Sequence, residues 1–285
     1  MESIERTVAP AVPGARRLLT RRTRELFRVY PKALVGDVEA VHDLRVAARR
    51  LRMALVLLAD KPDGRRARRA RRMLHDLAAA AGRGRDLDVG IAILEASPAS
   101  ADEGHERLRR SLSASRSRAR VLSREALLDL DVARLRRDLR ACAAATPVDR
   151  EVVTERVAAL RHREEERIER EISSTHRRPH PEALHRARRS ARRLRYAAEL
   201  VDLLDGTPSG VPDRWRAMQT RLGEIQDRHV LSVWLELRGH RATARGDAAL
   251  ATAASRALAR VKRDVARRVL DFVAAEALAT PSPPA

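Results

Sequence analysis

Cysteine is almost missing from this sequence, and two large classes of protein go with it. Cys142 is the sole cysteine in 285 residues, which excludes a disulfide framework and any metal site built from several thiolates. Aromatics are scarce: Phe27, Tyr30, Tyr196, Trp215, Trp234 and Phe272 make up 2% of the chain and are too dispersed for a base-stacking platform. No apolar run reaches the roughly 18 residues of a membrane-spanning helix, and the opening Met1-Glu2-Ser3-Ile4-Glu5-Arg6 lacks the apolar core of a signal peptide. A cytoplasmic location is the expectation. Also missing are a Walker-type glycine-rich loop, His-Glu-x-x-His and Gly-x-Ser-x-Gly, so no catalytic residue, cofactor or metal is expected and the chain reads as a non-enzyme.

What remains is dominated by Ala, Leu, Arg and Glu, with hydrophobic residues at 44%. These are strong helix formers, whereas strands need β-branched and aromatic residues, so the fold class is all-α. Basic residues number 59 against 39 acidic ones, for a net charge of +20, and all but Lys32, Lys61 and Lys262 are arginine. A GC-rich genome explains the choice of arginine over lysine but not the excess of positive charge. A field of that sign favours polyanionic partners.

Turn residues cut the chain into long helices. Pro10 and Pro13-Gly14 precede the first, and Gly36-Asp37 precedes a second running to about Asp60. A basic helix from Arg65 to about Ala81 is broken by Gly82-Arg83-Gly84-Arg85, with Asp86 expected to cap the next. Ser97-Pro98-Ala99-Ser100 opens a helix toward Leu122, and Thr146-Pro147 marks the best boundary between halves. Glu151 to Ser173 follows, then starts at His180-Pro181 and near Pro212, Asp227 and Asp247. The expected organisation is a flexible N-terminus (1–14), two helical repeats (15–145 and 146–279) and a disordered tail (280–285).

One repeat carries most of the meaning. The stretch from His42 to Arg52 matches that from His185 to Arg195 at an offset of 143 residues, sharing His-x-x-Arg-x-x-Ala-Arg-Arg-Leu-Arg. Gly82, Asp86 and Val89 likewise answer Gly223, Asp227 and Val230 at an offset of 141. Duplication of a helical unit explains both. His42, Arg45, Arg49 and Arg52 fall in one helix stripe about 80° wide, with Leu44, Ala48, Leu51, Leu55 and Leu58 opposite. The second copy sets His185, Arg188, Arg192 and Arg195 against Ala187, Ala191, Leu194, Ala198 and Val201.

An arginine-rich helix face is usually only a solvated one. Like charges at this spacing repel by a few tenths of a kcal/mol per pair, however, and solvent faces normally intersperse acids, as in Arg163-Glu164-Glu165-Glu166-Arg167. The two repeated stripes contain none. A cationic column present in both copies points to an anion that neutralises it, and arginine's planar fork suits phosphate oxygens. A histidine heading each column adds a donor that becomes more cationic beside phosphate.

These motifs, with Gly82 to Val89 and Leu222-Gly223-Glu224-Ile225-Gln226-Asp227, resemble the CHAD domain, the conserved histidine α-helical domain, over about residues 10–278. The resemblance implies two four-helix bundles related by a pseudo-twofold axis, with basic faces lining a groove or pore. It also implies binding of inorganic polyphosphate and association with polyphosphate granules. Carried over, the phosphate contacts are His42, Arg45, Arg49, Arg50, Arg52, His185, Arg188, Arg192, Arg193 and Arg195. Arg83 and Arg85 in the first glycine-rich segment join them. Ala187 and Arg189 depart from the family's larger apolar residues, and Arg228-His229 replaces Leu87-Asp88 of the first copy, which makes Arg189 and His229 further candidate contacts.

Many relatives are fused to a triphosphatase domain with a Glu-x-Glu-x-Lys signature, which Glu164-Glu165-Glu166-Arg167-Ile168 fails at its last position. His176 and His180 have helical spacing, but Pro179 and Pro181 break the helix a metal site would need. The competing reading is a nucleic-acid-binding or nucleoid-associated protein, resting on the same +20. Against it stand the scattered aromatics and the lack of a helix-turn-helix with base-reading Asn or Gln.

Overall fold

A computed structural model describes residues 14–82, 84–96, 102–145, 150–175 and 181–279. These are all helix and connecting turn. The ten helices are α1 (Ala15–Leu34), α2 (Val38–Leu58), α3 (Arg65–Ala80), α4 (Arg85–Glu95), α5 (Glu103–Leu128), α6 (Val132–Ala144), α7 (Arg150–Thr175), α8 (Pro181–Asp205), α9 (Val211–Thr243) and α10 (Ala248–Ala279). None is long and apolar enough to cross a membrane. The boundary at Thr146-Pro147, the Ser97–Ser100 stretch, Arg83, His176, His180 and the two chain ends lie outside the described residues.

Local chemistry sets the helix starts. The Asp37 carboxylate accepts from the Ala40 N–H at 2.8 Å, Asp131 from Arg134 N–H at 2.8 Å, and Asp247 from Leu250 N–H at 3.1 Å, each satisfying an otherwise orphaned donor. Three expectations need correction. Asp86 is not a cap: Gly84 holds that position without a side-chain bond, and Asp86 sits in the first turn, where a carboxylate still favours the helix dipole. No helix starts at Asp227; α9 runs through it, because a lone Gly223 does not break a stripe of Trp215, Met218, Leu222 and Ile225, all buried. Finally, α5 continues to Leu128, and α6 begins after Asp131 at a break carrying neither glycine nor proline.

The chain divides into two compact units, each drawing three segments: Met1–Ala81, Arg124–Glu164 and Arg193–Pro212 in unit 1, and Gly82–Ser123, Glu165–Arg192 and Asp213–Ala285 in unit 2. In unit 1, α1 packs on α2, α2 on α3, α3 on α6 and α6 on α1, closing a ring of four helices. Its core includes Leu19, Leu26, Leu74 and Leu77 together with the whole predicted stripe of α2: Leu44, Ala48, Leu51, Leu55 and Leu58 have no exposed surface. Each leucine buried this way contributes about 1.5 to 3 kcal/mol, which fixes the rotation of α2 and hence the side on which its arginines stand. In unit 2, Ala187 and Ala191 are fully buried, among a core that includes Leu108, Leu112, Leu222, Leu235 and Ala254. Gly104 lets α5 touch α10, since a β-carbon there would lie 2.5 Å from the Ala249 carbonyl oxygen.

Candidate functional site

Because the apolar stripe of α2 is anchored in the core, Arg45, Arg49, Arg50 and Arg52 are held half-buried at the edge of unit 1, with His42 exposed at the head of the column. The C-terminal part of α8 joins them. Arg50 donates through Nε to Glu199 at 2.9 Å, and Arg195 Nε lies 3.3 Å from the other oxygen of the same carboxylate. Both guanidiniums stand over the buried Tyr196 ring, at 5.8 and 4.6 Å. Arginines from the two copies of the motif therefore share one carboxylate and one aromatic ring.

Arg52 sits among several other positive charges. Its Nε is buried without a hydrogen bond, and its Nη1 lies 3.3 Å from His75 Nδ1. Burial, then Arg193, Arg49 and Arg71, depress its pKa, offset in part by Asp76. The cluster gathers side chains from α2, α3 and α8, and α3 supplies Arg71 and His75, which sequence reasoning passed over. Their i,i+4 spacing in a helix already noted as basic was the available signal.

A second cluster lies in unit 2 on the N-terminal part of α8. His185 is half-buried, and its Nδ1 has no hydrogen-bond partner among the described residues. Burial, then Arg189, Arg188 and Arg192, push its pKa below the ordinary histidine value, with Gln226 acting weakly the other way. Arg188 approaches Asp227 of α9 at 3.9 Å. Burial raises the Asp227 pKa; Arg188 opposes this, and Asp86 adds to it. Arg85 at the start of α4 also acts on Asp227, so segments of both motif copies meet here. His229 stands about 200° further round α9 than Asp227, away from Arg188. Arg189 is exposed beside His185.

The motif arginines are less bare of acids than their own helices imply. Arg50 and Arg195 have Glu199, Arg188 has Asp227, and Arg193 Nη1 holds both oxygens of the buried Glu164 at 3.0 and 2.9 Å. Two of these three carboxylates, Asp227 and Glu164, arrive from other helices, where no helical-spacing rule reports them; Glu199 stands four residues after Arg195 on α8 but reaches Arg50 on α2. Positive charge still exceeds negative in both clusters. Among the described residues, no group of three His, Cys, Asp or Glu side chains is placed to hold a metal.

A family model for the CHAD domain matches residues 17–236. The chain belongs to the CHAD domain family. A crystal structure of the CHAD domain from the plant Ricinus communis superposes with a TM-score of 0.70 at 20% identity, covering 97% of this chain and 94% of that one. PptA from Streptomyces chartreusis gives a TM-score of 0.71 at 18% identity, over 93% of this chain and 98% of its own. At these identities the likeness concerns the fold. No curated protein sequence matches the chain significantly. The family match ends inside α9, short of the residue 278 expected from the motifs, while the structural likenesses extend over nearly the whole chain.

Within this CHAD chain, Gly223 is explained by Arg188. A β-carbon at 223 would lie 3.0 Å from Arg188 Nη2 and 3.4 Å from its Cζ, so the bare backbone is what lets the guanidinium lie across α9 toward Asp227. Gly223→Ala is expected to raise stability by up to about 1 kcal/mol through helix propensity, because the clashing group is the movable end of a side chain. Arg188 is displaced in the process, so anion affinity falls. Melting curves beside a binding titration check this; lower stability with unchanged affinity contradicts it.

Proposed function

We propose that this CHAD protein binds inorganic polyphosphate without turning it over, through the arginine faces of α2 and α8, and that such binding recruits it to polyphosphate granules in the cytoplasm. The observation carrying this reading is the crowding around Arg52, whose buried Nε has no hydrogen bond and whose pKa is lowered by burial first and then by Arg193, Arg49 and Arg71. Native folding concentrates positive charge there at a cost, and a polyanion relieves it. A linear polymer with a charge on every unit rewards such spacing more than a compact ion does. The motif resemblance supplies the identity of the polymer.

Two dependences test the reading in one titration with labelled long-chain polyphosphate. About six phosphate contacts predict an affinity loss on the order of a thousandfold between about 50 and about 200 mM salt, through counterion release. Protons bind with the ligand: in the free protein burial, then Arg189, Arg188 and Arg192, lower the His185 pKa and favour its neutral form, and an adjacent phosphate raises that pKa. Affinity therefore increases as pH falls through the ordinary histidine range, and protonation of Asp227, whose pKa burial raises, frees Arg188 in the same direction. His185→Gln should flatten most of this slope. No phosphate release is expected with Mg²⁺ present. A salt-independent affinity, or one that weakens as pH falls, contradicts the proposal.

A further inference from the structure

A second basic feature of unit 1 has a different character. Helices α1 and α6 enclose a cleft of about 440 Å³ away from the repeated motifs. Arg16, Arg24 and Arg28 line it from α1, and Arg136 and Arg140 from α6. Among the described residues, no acidic residue lines the cleft, and Glu25 on α1 is engaged by Arg21 and Arg22 at 3.6 and 3.0 Å. None of the five guanidiniums pairs with a carboxylate among the described residues.

The rest of the lining is not what a bare phosphate chain requires. Leu139 and Ala143 form a buried apolar floor, and Arg136 lies over the Phe27 ring at 4.4 Å from its centre. Such a stack fixes the guanidinium plane and leaves it able to receive a further flat group. Thr20 and Thr23 donate their hydroxyl protons to the Arg16 and Leu19 carbonyls, each at 2.8 Å. Their oxygens can then only accept. They suit the N–H or O–H donors of an organic ligand and repel phosphate oxygens, which are acceptors themselves.

We propose that the α1–α6 cleft is a nucleoside polyphosphate site, separate from the motif arginines. The five guanidiniums neutralise the phosphates, the Arg136–Phe27 stack and the apolar floor hold the base, and Thr20 and Thr23 accept from ribose hydroxyls or an exocyclic amine. The volume falls within the range of small-ligand pockets, and a concave cleft suits a compact ligand better than it suits the face of a bilayer.

The probes are ATP and inorganic tripolyphosphate, titrated calorimetrically into the full chain. ATP is expected to bind at least about tenfold more tightly than tripolyphosphate, a margin only the base and ribose can supply. Arg24→Ala with Arg140→Ala, both exposed positions, should abolish ATP binding. Arg49→Glu with Arg192→Glu should leave it within about twofold. Phe27→Leu keeps the apolar volume and should bring ATP and tripolyphosphate to equal affinity. Equal affinity in the unaltered protein, an unchanged ratio in Phe27→Leu, or ATP binding that follows the Arg49/Arg192 pair would overturn the proposal. So would cleft-dependent binding to anionic phosphatidylglycerol vesicles without binding of ATP.

Discussion

Polyphosphate binding is expected to disappear when Arg49 and Arg192 are both reversed to glutamate, with helix content unchanged. The two residues occupy the same register of the repeated motif, opposite stripes whose Leu51 and Ala191 are fully buried, so neither change touches the core. Arg49 contributes to the charge around Arg52, and Arg192 to that around His185. A charge-assisted phosphate bond is worth about 1.5 to 3 kcal/mol; losing two predicts a fall of at least roughly a hundredfold before any new repulsion is counted. The control is Arg241→Glu with Arg245→Glu, which removes the same net charge from exposed positions that also crowd a guanidinium, that of Arg238. Fluorescence anisotropy at low salt should show no more than about a tenfold loss there. Equal losses in the two pairs would mean that binding follows diffuse charge.

Arg193→Ala is expected to act on the fold. Glu164 is almost wholly buried and Arg193 Nη1 spans both its oxygens, so truncation leaves a buried carboxylate with Arg163, at 3.6 Å, as a looser partner. Breaking a buried pair costs about 3 to 5 kcal/mol; with the Arg193 side chain 41% exposed, screening reduces the expectation to roughly 2 kcal/mol. For a protein of this size that lowers the melting temperature by roughly 4 to 8 °C. Glu164→Gln in the same background should recover much of the loss, since it removes the stranded charge. An unchanged melting temperature together with lost polyphosphate binding would return Arg193 to the role its place in the motif implies.

The helices were largely legible because their chemistry is local. The apolar stripe of α2, its Asp37 cap and the start of α8 at Pro181 each depend on residues within a few positions of one another. The break before α6 was hidden because an aspartate cap alone is a weak signal without glycine or proline. The site was half legible. Spacing gave the columns of α2 and α8, but Glu164 and Asp227 reach Arg193 and Arg188, and Glu199 reaches Arg50, by tertiary packing, and Arg71 and His75 come from a helix whose basic residues follow no repeat. For the same reason, the expected helix start near Asp227 was misplaced: α9 runs through it, and Gly223 is accounted for by its close approach to Arg188.

The most direct test retains the protein on immobilised long-chain polyphosphate and challenges it with duplex DNA at equal phosphate concentration. Retention undiminished by the DNA, with release by free polyphosphate, is the predicted result. Elution by DNA as effective as by polyphosphate would contradict the account and leave a basic helical protein that binds whichever polyanion it meets.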